Sequence, residues 1–412
     1  MSRETFVFAD WQVLSEPLLV GRLRSETIRN GEHFSFSYDS EWLRSPYVQK
    51  IDPDLELYQG EQHGADSHNF RIFLDSCPDR WGKLLMKRRE AILAKQEGRR
   101  VNILGEIDYL LGVHDFYRQG ALRFKTEMQG PFLDANDQLA APPFSSLREL
   151  EYAAQQVEDN RGSDDPDYLK WLYMLMSPGS SLGGARPKAS VVDENGQLWI
   201  AKFPSRYDDY NIAAWEFLTY RLALEAGVEM AESRIERFNS HHHTFLTKRF
   251  DRTVSGRLHF TSAMTQLGYY DGEYEASYLE LAQFLVEKGE NTRQDLAQLW
   301  RRIVFNIAVS NTDDHLRNHG FIFCKNGWLL SPAYDINPVT PAKGLHLNIN
   351  DSDNSLDYGL AMEVIDFFSL TRSEADEIKN EVIRSVSKWR DVANALGISR
   401  GEQEIMSPAF NV

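Results

Sequence analysis

Cysteine is nearly absent: the 412 residues contain two, Cys77 and Cys324. They have no C-x-x-C spacing, and no His–Cys cluster follows a zinc pattern. Structural zinc and a disulfide framework are excluded, and two reduced thiols in a cytosolic protein are expected. Long apolar runs are missing too: no stretch approaches the roughly 18–20 residues needed to span a bilayer. The opening "MSRETFVFADWQVL" lacks a basic segment followed by an apolar run. No leader and no membrane contact are expected, and the protein reads as cytoplasmic. Positive charge is scarce, with 45 Lys and Arg against 61 Asp and Glu and a formal net charge of −16. Nucleic-acid backbone repels a chain of that sign, so DNA is expected only through a partner.

What is present suits a folded chain: 42% hydrophobic, 12% aromatic and 26% charged residues, enough apolar surface to offset the entropy of ordering. The length implies two or three domains. Residues 1–130 open with "LLVGRLRSETIRNGEHFSFSYDSEWL", read as strand, Asn30–Gly31 turn, strand, because Phe34, Phe36 and Tyr38 alternate with serines. "DRWGKLLMKRREAILAKQEG" reads as a helix capped by Asp79 and ended by Gly98, with Leu84, Leu85, Ile92 and Leu93 inward. Its basic face is either solvated or a docking surface for an acidic partner. Residues 131–146, rich in Gly, Pro, Asn and Asp, form the expected linker. A helix capped by Ser145 or Ser146 opens the next segment, 147–250, a strand-rich lobe with "PKASVV", "LWIAKFP", "SRIERF" and "HTFLTKRF" as strands. One helix, "AAWEFLTYRLALEAGV", lies among them and is closed by Gly227. Residues 251–412 turn helical. A strand-rich lobe before a helical one predicts a ligand cleft between them.

One stretch concentrates polar chemistry. "SNTDDHLRNHG", residues 310–320, follows the helix "LWRRIVFNIAVS" and precedes two short strands around Asn326–Gly327, after which comes "PAYDINPV" with Asp335. Helix, Asp/Asn loop, hairpin and second Asp is the order of phosphoryl-transfer sites of the protein-kinase type. There one Asp receives the hydroxyl proton, an Asn five residues on binds Mg²⁺, and the second Asp binds Mg²⁺ bridging the phosphates. The spacing selects Asp313 as base, five residues before Asn318, and leaves Asp314 a loop or hydrogen-bonding residue whose removal should matter much less. His315 and His319 are read as backbone ties. Upstream, "SSLGGARPKAS" supplies Ser181, Gly183, Gly184, Ala185 and Lys188, a small flexible loop able to cradle phosphates though not a Walker loop. Lys202, among apolar residues of "LWIAKFP", would bind the α/β-phosphates and pair with Glu216 on the next helix. "FLTKRFDR", near Lys248 to Phe250, could hold an adenine by its main chain.

With these residues assembled, the chain resembles the HipA family of bacterial serine/threonine kinase toxins, in "FRIFLDSCPDRWGKLLMKR", "SSLGGARPK", "LWIAKFP", "WEFLTYRLALEAG", "FLTKRFDR", "NTDDHLRNHGF" and "SPAYDINP". Arg186 departs from the Gln of some relatives. The resemblance implies an α+β, kinase-like bilobal fold, with a strand-rich small lobe, an all-α large lobe and an N-terminal α/β subdomain. It implies ATP- and Mg²⁺-dependent phosphorylation of a protein, in the family an aminoacyl-tRNA synthetase, with growth arrest as the result. A HipB-like helix-turn-helix antitoxin would neutralise the toxin and supply the operator contact. Asp313 matches the catalytic Asp, Asn318 and Asp335 the metal ligands, Lys202 the phosphate-binding Lys and Lys188 the end of the Gly-rich loop. Ser181 falls at the autophosphorylation position, with Ser180 as the alternative. A phosphate there would add about −1.5 to −2 charges, expel the loop and lower activity. Two other readings stay open: a kinase of small molecules, and a non-catalytic antitoxin-binding corepressor.

Overall fold

A computed structural model describes residues 2–29, 31–64, 68–135, 142–159, 165, 167–176, 186–254, 256–273 and 275–412. The chain forms two compact units, 1–206 with 251–261, and 207–250 with 262–412. Among the described residues no helix is long and apolar enough to cross a membrane.

The first unit is built on a five-stranded antiparallel sheet. Its strands are β1 Ser2–Ala9, β2 Leu18–Ile28, β3 Gly31–Tyr38, β4 Glu61–His63 and β5 Leu122–Lys125, in the order β4-β3-β2-β1-β5. The alternation seen in sequence sets the faces: Leu23, Phe34 and Phe36 are fully buried while Arg22 and Arg24 are exposed. Asn30, the expected turn residue, lies outside the described residues. Phe73 joins the sheet to its helical cover, with ring centres 5.7 Å from Phe36 and 5.9 Å from Phe124. Burial pushes the Cys77 thiol up to about 12, so it is inert at neutral pH.

The basic helix spans Arg80–Glu97. Asp79 accepts the Gly82 N–H at its start, and Gly98 closes it in the left-handed region at φ 65°. Its buried side is Trp81, Leu85, Met86 and Ala94. Leu84, expected inward, is exposed, because Trp81 and Leu85, four residues apart, define the buried stripe instead. Asp79 also pairs with Lys188 at 2.6 Å, both side chains almost fully buried. Trp81 Nε1 donates to the Lys188 carbonyl at 3.1 Å. The expected linker falls partly on residues 136–141, outside the described ones. The helix after it spans Leu147–Glu158, but Ser146 makes no capping bond, since a 3₁₀ turn over Phe144–Ser146 leads directly into it. A hairpin of Lys188–Val192 with Leu198–Lys202 also belongs to this unit, setting Lys188 opposite Lys202.

The second unit opens with the helix Ile212–Glu225, followed by Gly227 in the left-handed region, and a hairpin of Ser233–Glu236 with Thr244–Lys248. Its helical body includes Tyr278–Lys288, Thr292–Val309, Arg372–Val386 and Trp389–Ala395. The Thr292–Val309 helix is the axis: Leu296, Leu299, Trp300, Ile303, Val304 and Phe305 have no exposed surface. The expected hairpin is present as Gly320–Phe323 and Trp328–Leu330.

Burial pushes Asp52 of the first unit and Asp295 of the second up to about 6, although backbone N–H groups of Ile72, Asp54 and Leu330 pull the other way. A raised folded-state value stabilises the protein when the group is protonated. That contribution is complete below the unfolded value of about 3.9 and is lost as pH rises through about 6. The urea midpoint is therefore expected to rise as pH falls from about 7.5 to about 5.5, with a smaller rise in Asp52→Asn. An identical rise in that variant would remove Asp52 from the account.

Candidate active site

The polar loop begins where the Thr292–Val309 helix stops. Ser310 ends it in the left-handed region at φ 50°, a conformation a non-glycine residue adopts only with support. The support comes from Asn411. Its Nδ2 donates to the Ile307 carbonyl at 2.7 Å and to Ser310 Oγ at 2.9 Å, and its backbone N–H to the Ala308 carbonyl at 2.8 Å. Tyr358 Oη fixes the Asn411 carbonyl at 2.7 Å, and Phe410 stacks on Trp389 at 4.3 Å. The last turn of the helix thus gains further partners for its Ile307 and Ala308 carbonyls. Asn411→Ala is expected to cost about 1–2 kcal/mol, read as a lower urea midpoint. No shift would mean the loop holds without it.

Beyond Ser310 the two neighbouring aspartates part ways. Asp313 is exposed, and its carboxylate accepts no hydrogen bond from the described residues. Its carbonyl accepts the Asn318 Nδ2 at 2.9 Å and the His315 N–H at 2.9 Å. Asp314 is buried and accepts from Tyr278 Oη at 2.5 Å, Asn306 Nδ2 at 2.7 Å and His319 Nε2 at 2.8 Å. Burial alone would push its carboxyl up. The His319 charge and hydrogen bond, with those from Tyr278 and others, outweigh that and hold it below the ordinary value. Asp314 is therefore a hydrogen-bonding residue, as the spacing suggested, and His319 a structural tie. Burial, then the Arg317 charge, pull His315 down against the raising effect of the Asp313 and Asp335 carboxylates. It lies in the field of both.

Asn318 is buried, and its Oδ1 is enclosed with no hydrogen-bond partner among the described residues. Asp335 follows the hairpin at φ 58°, and its Oδ1 accepts Asn337 Nδ2 at 3.2 Å. Among the described residues no three His, Cys, Asp or Glu gather into a metal cage. One orphaned amide oxygen and one carboxylate instead suit Mg²⁺, a hard ion that keeps waters and takes the rest of its shell from phosphates.

Glu216 is buried on the Ile212–Glu225 helix, and three residues on, Thr219 Oγ1 donates to the Ile336 carbonyl at 2.6 Å, tying that helix to the Asp335 segment. Phe250 stacks on Tyr334 at 5.6 Å, and Tyr334 Oη donates to the Arg317 carbonyl at 2.8 Å. Lys248 Nζ donates to Glu232 at 3.2 Å. Lys202 is buried at the end of its strand rather than in the middle, and Lys188 is engaged with Asp79. Both lysines belong to the first unit. Ser181, Gly183, Gly184 and Ala185 lie outside the described residues. Asn306, Asn337 and Asn411 are not among the residues expected from the sequence. Asn306 carried a signal, a lone amide inside the apolar run "IVFNIAV", where a buried polar group needs a partner.

An α+β chain with an Asp/Asn loop on a buried helix, then a hairpin and a second Asp, has a protein-kinase-like fold. Residues 180–390 match the HipA-like C-terminal domain family, and the chain belongs to that family. A Haemophilus influenzae protein named "Putative kinase" is 28% identical over 187 residues, 40% of this chain and 54% of the relative. "Putative kinase Y4dM" of Sinorhizobium fredii is 28% identical over 218 residues, 46% of this chain and 53% of the relative. The chain thus spans about half the length of these curated relatives. The structure of Shewanella oneidensis MR-1 HipA with HipB and operator DNA matches with a TM-score of 0.64 at 19% identity, covering 95% of this chain and 93% of that one. At that identity the likeness is one of fold.

Proposed function

We propose that this chain is an ATP- and Mg²⁺-dependent serine/threonine protein kinase of the HipA kind. The observation that supports it most is the state of Asn318: its nitrogen clamps the Asp313 carbonyl, while its buried oxygen has no hydrogen-bond partner among the described residues. Asp313 would orient the attacking hydroxyl and take its proton. Asn318 and Asp335 would hold Mg²⁺, which neutralises charge on the transferring phosphoryl group. The proposal gives Lys202, Lys188 and Glu216 to nucleotide binding, the two lysines to its phosphates. Because Lys188 is already paired with Asp79, it would have to share that carboxylate or leave it. The backbone from Lys248 to Phe250 would receive the adenine.

The structural relative is a complex with HipB and operator DNA. By that likeness the partner proposed for this chain is a HipB-like helix-turn-helix antitoxin, which would make the DNA contact. The proposed substrate is a cytoplasmic protein, with an aminoacyl-tRNA synthetase as the first candidate, and Ser181 is the proposed autophosphorylation site. Incubation with γ-labelled ATP, Mg²⁺ and a cell lysate is expected to label protein serine or threonine, and EDTA should abolish it. Label confined to a small metabolite would instead establish a small-molecule kinase. No label at all, with nucleotide still bound, would favour the corepressor reading.

A further inference from the structure

The second unit contains a directed line of amides. Asp314 can only accept hydrogen bonds, so Asn306 must present its Nδ2, which it does at 2.7 Å. That leaves Asn306 Oδ1 facing away, and it accepts Asn311 Nδ2 at 3.0 Å. Asn311 Oδ1 in turn accepts the backbone N–H of Asn337 at 3.4 Å, a long contact. The Asn337 side chain then donates to Asp335 Oδ1 at 3.2 Å. Every amide orientation follows from a carboxylate at one end or the other. Asn306 and Asn311 have almost no exposed surface, so water does not compete and each bond polarises the next.

We infer that Asn337, fixed by Asn311, is a positioning residue that aims the Asp335 carboxylate at its metal ion. The inference rests on the kinase reading of Asp335 and extends it. The Asp335 carboxylate sits on a left-handed backbone position, and the Asn337 Nδ2 restrains its rotation. Groups that orient a metal ligand in this way typically contribute about 10–100-fold in metal affinity or activity. The line also joins Asp335 to the hub that holds the Asp313 loop, so the two aspartates share one support.

The test is direct Mn²⁺ binding, followed by electron paramagnetic resonance in the presence of a non-hydrolysable ATP analogue. Asn337→Asp keeps shape and removes the donor. It is expected to weaken Mn²⁺ binding by about 10-fold or more, as is Asn337→Ala. Asn311→Ala should weaken binding in wild type and much less in the Asn337→Ala background, because the two act in series. Urea unfolding on each variant identifies loss through unfolding, which would not show that coupling. Equal or tighter binding by Asn337→Asp would make Asn337 a ligand or a bystander and overturn the inference. Independent, multiplying effects of Asn311 and Asn337 would overturn it as well. Wild type that binds no Mn²⁺ with nucleotide would overturn the kinase reading and this inference together. Wild type that binds, with Asp335→Ala losing binding and Asn337→Asp unaffected, would overturn the inference alone.

Discussion

Asp313→Ala is expected to yield a folded protein that no longer transfers phosphate, with kcat lower by about 10²-fold or more. Two observations separate the effect on chemistry from any effect on stability. The side chain is exposed, and its carboxylate holds no partner among the described residues, so its removal opens no cavity and orphans no donor. The hydrogen bonds that shape the loop at this residue use its carbonyl, which alanine retains. Nucleotide affinity should change little, because the groups proposed to face the metal are Asn318 and Asp335. Steady-state kinetics with a purified substrate, beside a urea titration, would show kcat falling while KM for ATP and the midpoint stay. A lowered midpoint would mean that the loop depends on this carboxylate after all.

Asp314→Ala is expected to do something different and nearly as large. By spacing alone this substitution is the mild control. The structure gives a reason to expect more, because Asp314 is buried at the centre of Tyr278, Asn306 and His319. Taking it away leaves a phenol, an amide and an imidazole without their acceptor. Losses of this kind from buried charged networks run to about 3–5 kcal/mol. The expected result is a much lower urea midpoint or insoluble protein, with activity lost through the fold. The pH behaviour carries the same signature. A depressed folded-state value means that Asp314 stabilises the protein above the unfolded value of about 3.9, and that this is lost as pH falls through the folded value. Asp314→Asn should remove that acid-side contribution. If Asp314→Ala folds normally yet is catalytically dead while Asp313→Ala transfers phosphate, the register proposed for the loop is wrong by one residue.

The contrast between these neighbours marks how far the sequence could be read. Spacing to Asn318 separated Asp313 from Asp314, because a five-residue interval has a chemical meaning in phosphoryl transfer. Asp79 and Gly98 announced the ends of their helix, since capping and the left-handed turn are local chemistry. The hairpin before Asp335 was visible in its turn signal. What could not be read were contacts between residues far apart in the chain. Asn411 closes a helix that ends about a hundred residues earlier. Asn337 meets Asn311 across the hairpin, and Lys188 meets Asp79 across much of the first unit. Leu84 and Leu85 are equivalent by composition, and only the position of Trp81 decides which is buried.

The central claim is that Asp313 in this chain serves phosphate transfer to protein serine or threonine. The most direct measurement is mass-spectrometric mapping of phosphorylated sites in cells expressing the wild-type chain or Asp313→Ala at equal levels. The expected result is a small set of serine or threonine sites present only with wild type, together with slowed growth. Identical phosphosites and growth for the two, with both proteins shown to be folded, would contradict it.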